Sequence, residues 1–228
     1  MHQDNPIDLG VKCYNSGNYT EAAVYFGKAT TRDSTNYKAF QYLAAAQDCL
    51  GETDLAKAAL QTSLDLRDTA SALNSMGALL ISDGHDDQAI SFFECASALK
   101  PQHYIYALNL GDSHRRTGHS DEAKEAYGRG LYAVKTDLEA SPEEHYLRAF
   151  LAYFAARLND VETAEREIKR ARESASTDGR VIRRAVLTYA ALEQRDRMAD
   201  VLKTASRELQ EDIARHPDLR NFWGEKAA

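Results

Sequence analysis

What this 228-residue sequence has little of narrows it first. Positive charge is outnumbered: 28 Lys and Arg stand against 35 Asp and Glu, a formal net charge of −7. With a pI near 5.5, a nucleic-acid binder driven by phosphate contacts is not expected. No apolar run reaches the roughly 18–20 residues that cross a bilayer, so no membrane span is expected either. The start, MHQDNPIDLG, has no basic stretch followed by an apolar one, and no signal peptide is read there. Cysteines number three, an odd count without CxxC spacing. Cys13 takes a core position in its helix, and Cys49 and Cys95 lie on other helices. Reduced, partly buried thiols are therefore expected, which suits the cytoplasm.

Catalytic signatures are missing as well. There is no GxSxG, no P-loop and no GxGxxG. His114 and His119 stand five residues apart on either side of Gly118, which does not fit the four-residue HExxH spacing of one helical face. His114 reads as a packed core histidine, and His85 and His119 as solvated turn residues. Gly128-Arg129-Gly130 falls mid-helix by periodicity, with no strand before it. Glu143-Glu144 and Asp86-Asp87 sit at helix starts, where the helix dipole accounts for them. No enzyme, metal or cofactor is expected.

What is present is a repeat, clearest in LNSMGALLISDGHDDQAISFFECASALKP, Leu73–Pro101. Leu73, Met76 and Leu80 share one helical face, and Gly77 sits on it with no side chain to hold a neighbour away. Asp83-Gly84 ends this helix, because glycine readily takes the left-handed conformation of a helix stop. Ala89, Phe93 and Ala96 form the face of a second helix, and Pro101 closes the unit. A large-small-large helix meeting one with an early small residue makes a tight antiparallel pair. Such a pair cannot bury both faces alone and needs copies of itself.

The copies are there. Turns fall at Gly17, Gly51, Gly84, Gly118, Asn159 and Glu193, at intervals of 34, 33, 34, 41 and 34 residues. A helix-turn-helix period near 34 with Leu-Gly or Leu-Ala, a glycine turn, then Ala, aromatic and Ala resembles the tetratricopeptide repeat, TPR. The resemblance covers about residues 3–212. It implies an all-α, right-handed solenoid in one superhelical domain, with repeats near 3–36, 37–69, 70–103, 104–144, 145–178 and 179–212 and a cap over 213–228. No polar capping helix precedes the first repeat. Ser120 reads as a helix N-cap. Ser141-Pro142-Glu143-Glu144 reads as a capping box that restarts the array after a second helix lengthened by seven residues. Gln47 stands where a large apolar residue is usual. Met198 replaces a small residue and should space the last pair more widely. The tail, with Leu219, Phe222 and Trp223, reads as a short capping helix broken near His216-Pro217.

In the TPR family the first helices line a concave groove that binds peptide segments. The resemblance places Gln41, Tyr42, Asn74, Asn109, Asp112, Arg116, Tyr146, Phe150, Tyr153, Arg157, Arg183 and Arg184 on that groove. Its first half is polar, suited to hydrogen-bonding a peptide backbone. Its second half combines aromatics with arginines, the types enriched at binding hot spots. An acidic peptide, or a chain terminus with apolar anchors, would fit it. The Lys/Asn pairs of a chaperone-type carboxylate clamp are absent: the matching positions are Ile7/Val11, Gln41/Ala45, Asn74/Ala78, Leu108/Asp112, Ala149/Tyr153 and Arg183/Leu187. The resemblance therefore implies a non-enzymatic scaffold for a protein or peptide partner. The alternatives are a ligand- or peptide-sensing regulatory domain of a larger signalling or transcription protein, and a self-assembling subunit using the first repeat and the Phe222-Trp223 tail.

Overall fold

The structure, a computed structural model, describes residues 5–219. Phe222 and Trp223 lie outside the described residues. Thirteen α-helices and one 3-10 turn are present among the described residues, with no strand. They are α1 Pro6–Asn15, α2 Tyr19–Arg32, α3 Tyr37–Cys49, α4 Thr53–Leu66, α5 Ala70–Ser82, α6 Asp86–Leu99, α7 Tyr104–Arg116, α8 Ser120–Ala140, α9 His145–Arg157, α10 Val161–Ser174, α11 Gly179–Ala191, α12 Arg195–Leu202 and α13 Arg207–Ala214, followed by the turn Pro217–Leu219.

Six hairpins account for α1 to α12, and every hairpin turns the same way. Gly17, Gly51, Gly84 and Gly118 have φ of 79, 74, 82 and 85°, and Asn159 and Glu193 have φ of 63 and 59°. These are the six expected turn positions. In each, the N–H after the turn residue reaches back five positions, as from Asn18 to Cys13 O at 2.9 Å, His85 to Leu80 O at 2.8 Å and Gln194 to Tyr189 O at 2.9 Å. This is the Schellman closure, which satisfies carbonyls that the helix end would orphan. Helix starts are capped by short polar side chains: Asn18 accepts from Glu21 N at 3.3 Å, Asn36 from Ala39 N at 3.2 Å and Asp160 from Thr163 N at 3.1 Å.

The chain packs as two compact units. One comprises residues up to Pro101 with Asp112–His119, the other Gln102–Gly111 with residues from Ser120 onward. In the first, a Cβ placed on Gly77 would meet the Phe93 ring at 2.6 Å, and one on Gly10 the Phe26 ring at 2.5 Å. The absent side chains let the paired helices approach until an aromatic ring lies on bare backbone. In the second unit Gly111 meets Tyr127 in the same way. Its core is a continuous apolar cluster around Tyr127, Val134, Tyr153, Phe154, Ile168, Val181 and Val186, closed by Ile213 and Leu219.

Four local expectations change. Ser141-Pro142-Glu143-Glu144 is a turn, not a capping box. Helix α8 runs to Ala140, so Ser141 N still bonds back to Asp137 O at 2.9 Å, Glu144 N bonds Ser141 O at 3.2 Å, and α9 starts only at His145. The seven extra residues lengthen α8 to 21 residues, against 14 in α2, α4, α6 and α10. Ser120 is the first helical residue of α8 rather than the residue before it. Helix α12 stops at Leu202, and the cap begins with α13 at Arg207, where Ser206 Oγ accepts from Leu209 N at 3.2 Å. Of the thiols, Cys13 is half-buried but Cys49 and Cys95 are exposed. At Gln47 a buried Oε1 finds no hydrogen-bond partner among the described residues, the mark of a polar residue in an apolar position.

Candidate functional site

In the first unit, α3 and α5 present the polar half of the expected groove. Gln41 does structural work: its Nε2 donates to Thr69 Oγ1 at 2.8 Å and to Ser63 Oγ at 3.2 Å, tying α3 to α4 and to the start of α5. Tyr42 is exposed and stacks on Phe26, ring centroids 5.2 Å apart. Asn74 lines a 150 Å³ recess with Gln41, Asp48 and Tyr14. Partial desolvation there raises the Asp48 carboxyl above its ordinary range. Tyr14 is pushed up to about 12, first by its hydrogen bond to Cys49 and then by burial. Asp112 is 7% exposed and offers little surface. Arg116 donates from Nε to Asp86 Oδ1 at 2.6 Å, which binds it across to the start of α6.

The second unit carries a different face. Here Tyr104 at the start of α7, Tyr146 and Phe150 on α9, and Arg180 and Arg184 on α11 interleave. Tyr104 and Phe150 pack at a 4.9 Å centroid distance. The Arg184 guanidinium lies 4.2 Å from the Phe150 centroid and 4.8 Å from that of Tyr153, and Arg180 lies 4.7 Å from Tyr146. Flat cations over π-faces hold one another in place. Spacing explains the ladder: Tyr146, Phe150 and Tyr153 on α9, and Arg180 and Arg184 on α11, recur at three or four residues and so share a helical face. Burial, reinforced by Tyr146 and Asp137, pushes the Tyr104 phenol up to about 12, with Arg184 pulling the other way. The Arg180 side chain hydrogen-bonded to Asp178 holds that carboxyl below its ordinary range.

Two expected groove residues turn inward here. Tyr153 is 0% exposed, covered by Arg184 and Arg157, and its hydroxyl accepts from Arg157 Nε at 2.9 Å. Arg157 in turn pairs with Asp218 of the 3-10 turn, the two side chains 12 and 4% exposed. Arg183 pairs with Asp212 on α13, and burial lowers its guanidinium. Asn109 is half-buried on α7. The ladder therefore brings together Tyr146, Phe150, Tyr153 and Arg184, while Arg157 and Arg183 anchor the C-terminal cap. Tyr104 was not among the expected groove residues; its place at the first position of α7, four residues before Leu108, is the signal that could have found it.

Among the described residues no group of three or more His, Cys, Asp or Glu side chains could hold a metal ion. No helix there is long and apolar enough to cross a membrane.

A family model described as Tetratricopeptide repeat matches residues 106–133, which span α7 and the first part of α8. No curated protein matches the chain by sequence. Solved structures are similar in fold. PilW, a widely conserved type IV pilus biogenesis factor, is 18% identical with a TM-score of 0.63, over 98% of this chain and 100% of its own. The Pseudomonas aeruginosa PilF protein is 21% identical with a TM-score of 0.62, over 98% of this chain and 97% of its own. A thermophilic TPR protein of Thermus thermophilus is 23% identical with a TM-score of 0.59, over 87% of this chain and 98% of its own. Residues 106–133 thus match a tetratricopeptide repeat, and the chain as a whole has the all-α fold of tetratricopeptide-repeat solenoids.

Proposed function

We propose that this protein is a non-enzymatic scaffold that binds an acidic peptide or protein segment on the Tyr104–Tyr146–Phe150–Arg180–Arg184 face of its second unit. TPR domains bind protein partners and are generally non-catalytic. The observation that carries this proposal is the ladder itself. Apart from the buried Tyr153, its aromatics and arginines stay partly exposed, and each is held by a neighbour. A pre-ordered surface loses little side-chain entropy when a partner arrives. Guanidiniums supply bidentate partners for carboxylates, and the half-exposed rings supply apolar anchor sites. The free thiols, two of them exposed, fit a compartment that keeps thiols reduced, and the cytoplasm is part of this proposal.

The test is fluorescence anisotropy with a labelled acidic peptide carrying two phenylalanines, beside its lysine-substituted counterpart. The acidic peptide should bind and the basic one should not. Phe150→Ala and Arg184→Gln, each checked for intact helical circular dichroism, should weaken binding by about tenfold or more, the range of a hot-spot residue. Equal affinity for the two peptides, or unchanged affinity in both folded variants, would remove this face from the function.

A further inference from the structure

A recess in the second unit lies apart from the ladder, between α10, α12 and the last turn of α11. Its cavity measures 430 Å³ and is lined by Glu165, Lys169, Arg172, Glu173, Tyr189 and Arg197. None of these residues belongs to the aromatic–arginine ladder. Three cations against two carboxylates make the recess net positive, in a chain whose net charge is −7.

The acidic side chains are already engaged. Glu165 Oε1 accepts from Gln194 Nε2 at 2.6 Å and from Arg197 Nη1 at 2.7 Å. Glu173 lies 3.8 Å from Lys169 Nζ, a loose and solvated pair. Arg172 is the reverse case. Among the described residues it makes one hydrogen bond, a long one of 3.5 Å from Nη2 to Thr204 Oγ1. Its Nε is buried and finds no partner among the described residues. A half-buried guanidinium with one long bond is under-satisfied, and its Nη atoms, which unlike Nε are not enclosed without a partner, remain open to an incoming acceptor. Tyr189 adds a protonated hydroxyl: burial raises its phenol, while the nearby guanidiniums of Arg197 and Arg172 pull it back.

We propose that this recess binds an oxyanion group, phosphate or carboxylate, through Arg172 and Lys169 with the Tyr189 hydroxyl as a further donor. Arginine's planar fork matches the paired oxygens of either group. The cavity falls in the range of small-molecule pockets, roughly 300–1,000 Å³. It has room for a carrier as well as the anion. The proposal shares no residue with the peptide face and stands or falls without it.

The experiment is calorimetric titration at constant ionic strength with inorganic phosphate, O-phosphoserine and glutarate as separate probes, against a sodium chloride control. Wild-type protein should bind at least one of the oxyanions saturably. Tighter binding of phosphoserine or glutarate than of phosphate means that the group arrives on an organic carrier; equal binding means that the free anion suffices. Arg172→Gln should weaken the dissociation constant by about tenfold or more, and Tyr189→Phe by a smaller factor. If Arg172→Gln fails to fold, Lys169→Gln at an exposed position carries the same expectation. Heats no different from the chloride control for all three probes, or wild-type affinity in the folded Arg172→Gln or Lys169→Gln variant, would overturn the site.

Discussion

At the scale of the residue, glycine shows how the same residue type does different work two positions apart. Gly128 and Gly130 both lie inside α8. A Cβ on Gly128 would meet nothing within 4 Å, whereas one on Gly130 would run into the Phe154 ring. Gly128→Ala should therefore stabilise the protein by about 0.5–1 kcal/mol, since alanine loses less backbone entropy in a helix. Gly130→Ala should destabilise it by about 1–3 kcal/mol through overpacking. Urea unfolding of the two variants in parallel gives the comparison, and shifts of the same sign would contradict the close approach of α8 and α9. The small residue at Gly130 was legible, because it falls in the repeat at the position of Ala29 and Ala96. Tyr153 was not. Helical spacing places it on a shared face with Phe150, but its complete burial depends on Arg184 and Arg157 folding over it from elsewhere in the chain.

At the scale of the element, the hairpins followed from local chemistry and the irregular pieces did not. A left-handed residue after each first helix and a polar cap before most helices are short-range signals. Asn159 and Glu193 take the glycine conformation without being glycine, and only the interval of 34 residues between them exposed their role. The Ser141-Pro142-Glu143-Glu144 stretch has the composition of a helix start, but continuation of α8 through Ala140 left it as a turn. The C-terminal cap is held by a pair far apart in sequence, Arg157 on α9 and Asp218 in the 3-10 turn. Asp218→Ala would leave the Arg157 charge nearly buried without its carboxylate. The expected loss is about 3 kcal/mol, the cost of breaking a buried pair, read as a lowered thermal midpoint. An unchanged midpoint would mean that the cap contributes nothing to the second unit.

At the scale of the whole molecule, both units hold a tyrosine whose ionisation the fold resists. Tyr14 in the first and Tyr104 in the second are each pushed up to about 12, against about 10 in an unfolded chain. The folded state thus favours the protonated phenols. Their contribution is fully present below pH ~10 and is lost as pH rises toward ~12. Absorbance titration near 295 nm should show a late-ionising fraction, and helical circular dichroism should fall across the same interval. Every tyrosine titrating near pH 10 while the helices stay intact would contradict the packing of both groups.

The sequence by itself determined the period, the hairpin and the side of each helix that faces its partner. These are set by residues within one turn or one repeat of each other, where 3.6-residue geometry and the conformational freedom of the turn residues decide the outcome. Tertiary structure alone decided which of the expected groove residues remain at the surface. Arg157 and Arg183 became anchors because α13 and the turn after it carry Asp212 and Asp218 to them. The recess at Arg172 likewise arises only where α10, α11 and α12 meet. Burial and pairing of a charge depend on what the rest of the chain brings within a few ångströms, and a period of 34 residues is silent about that.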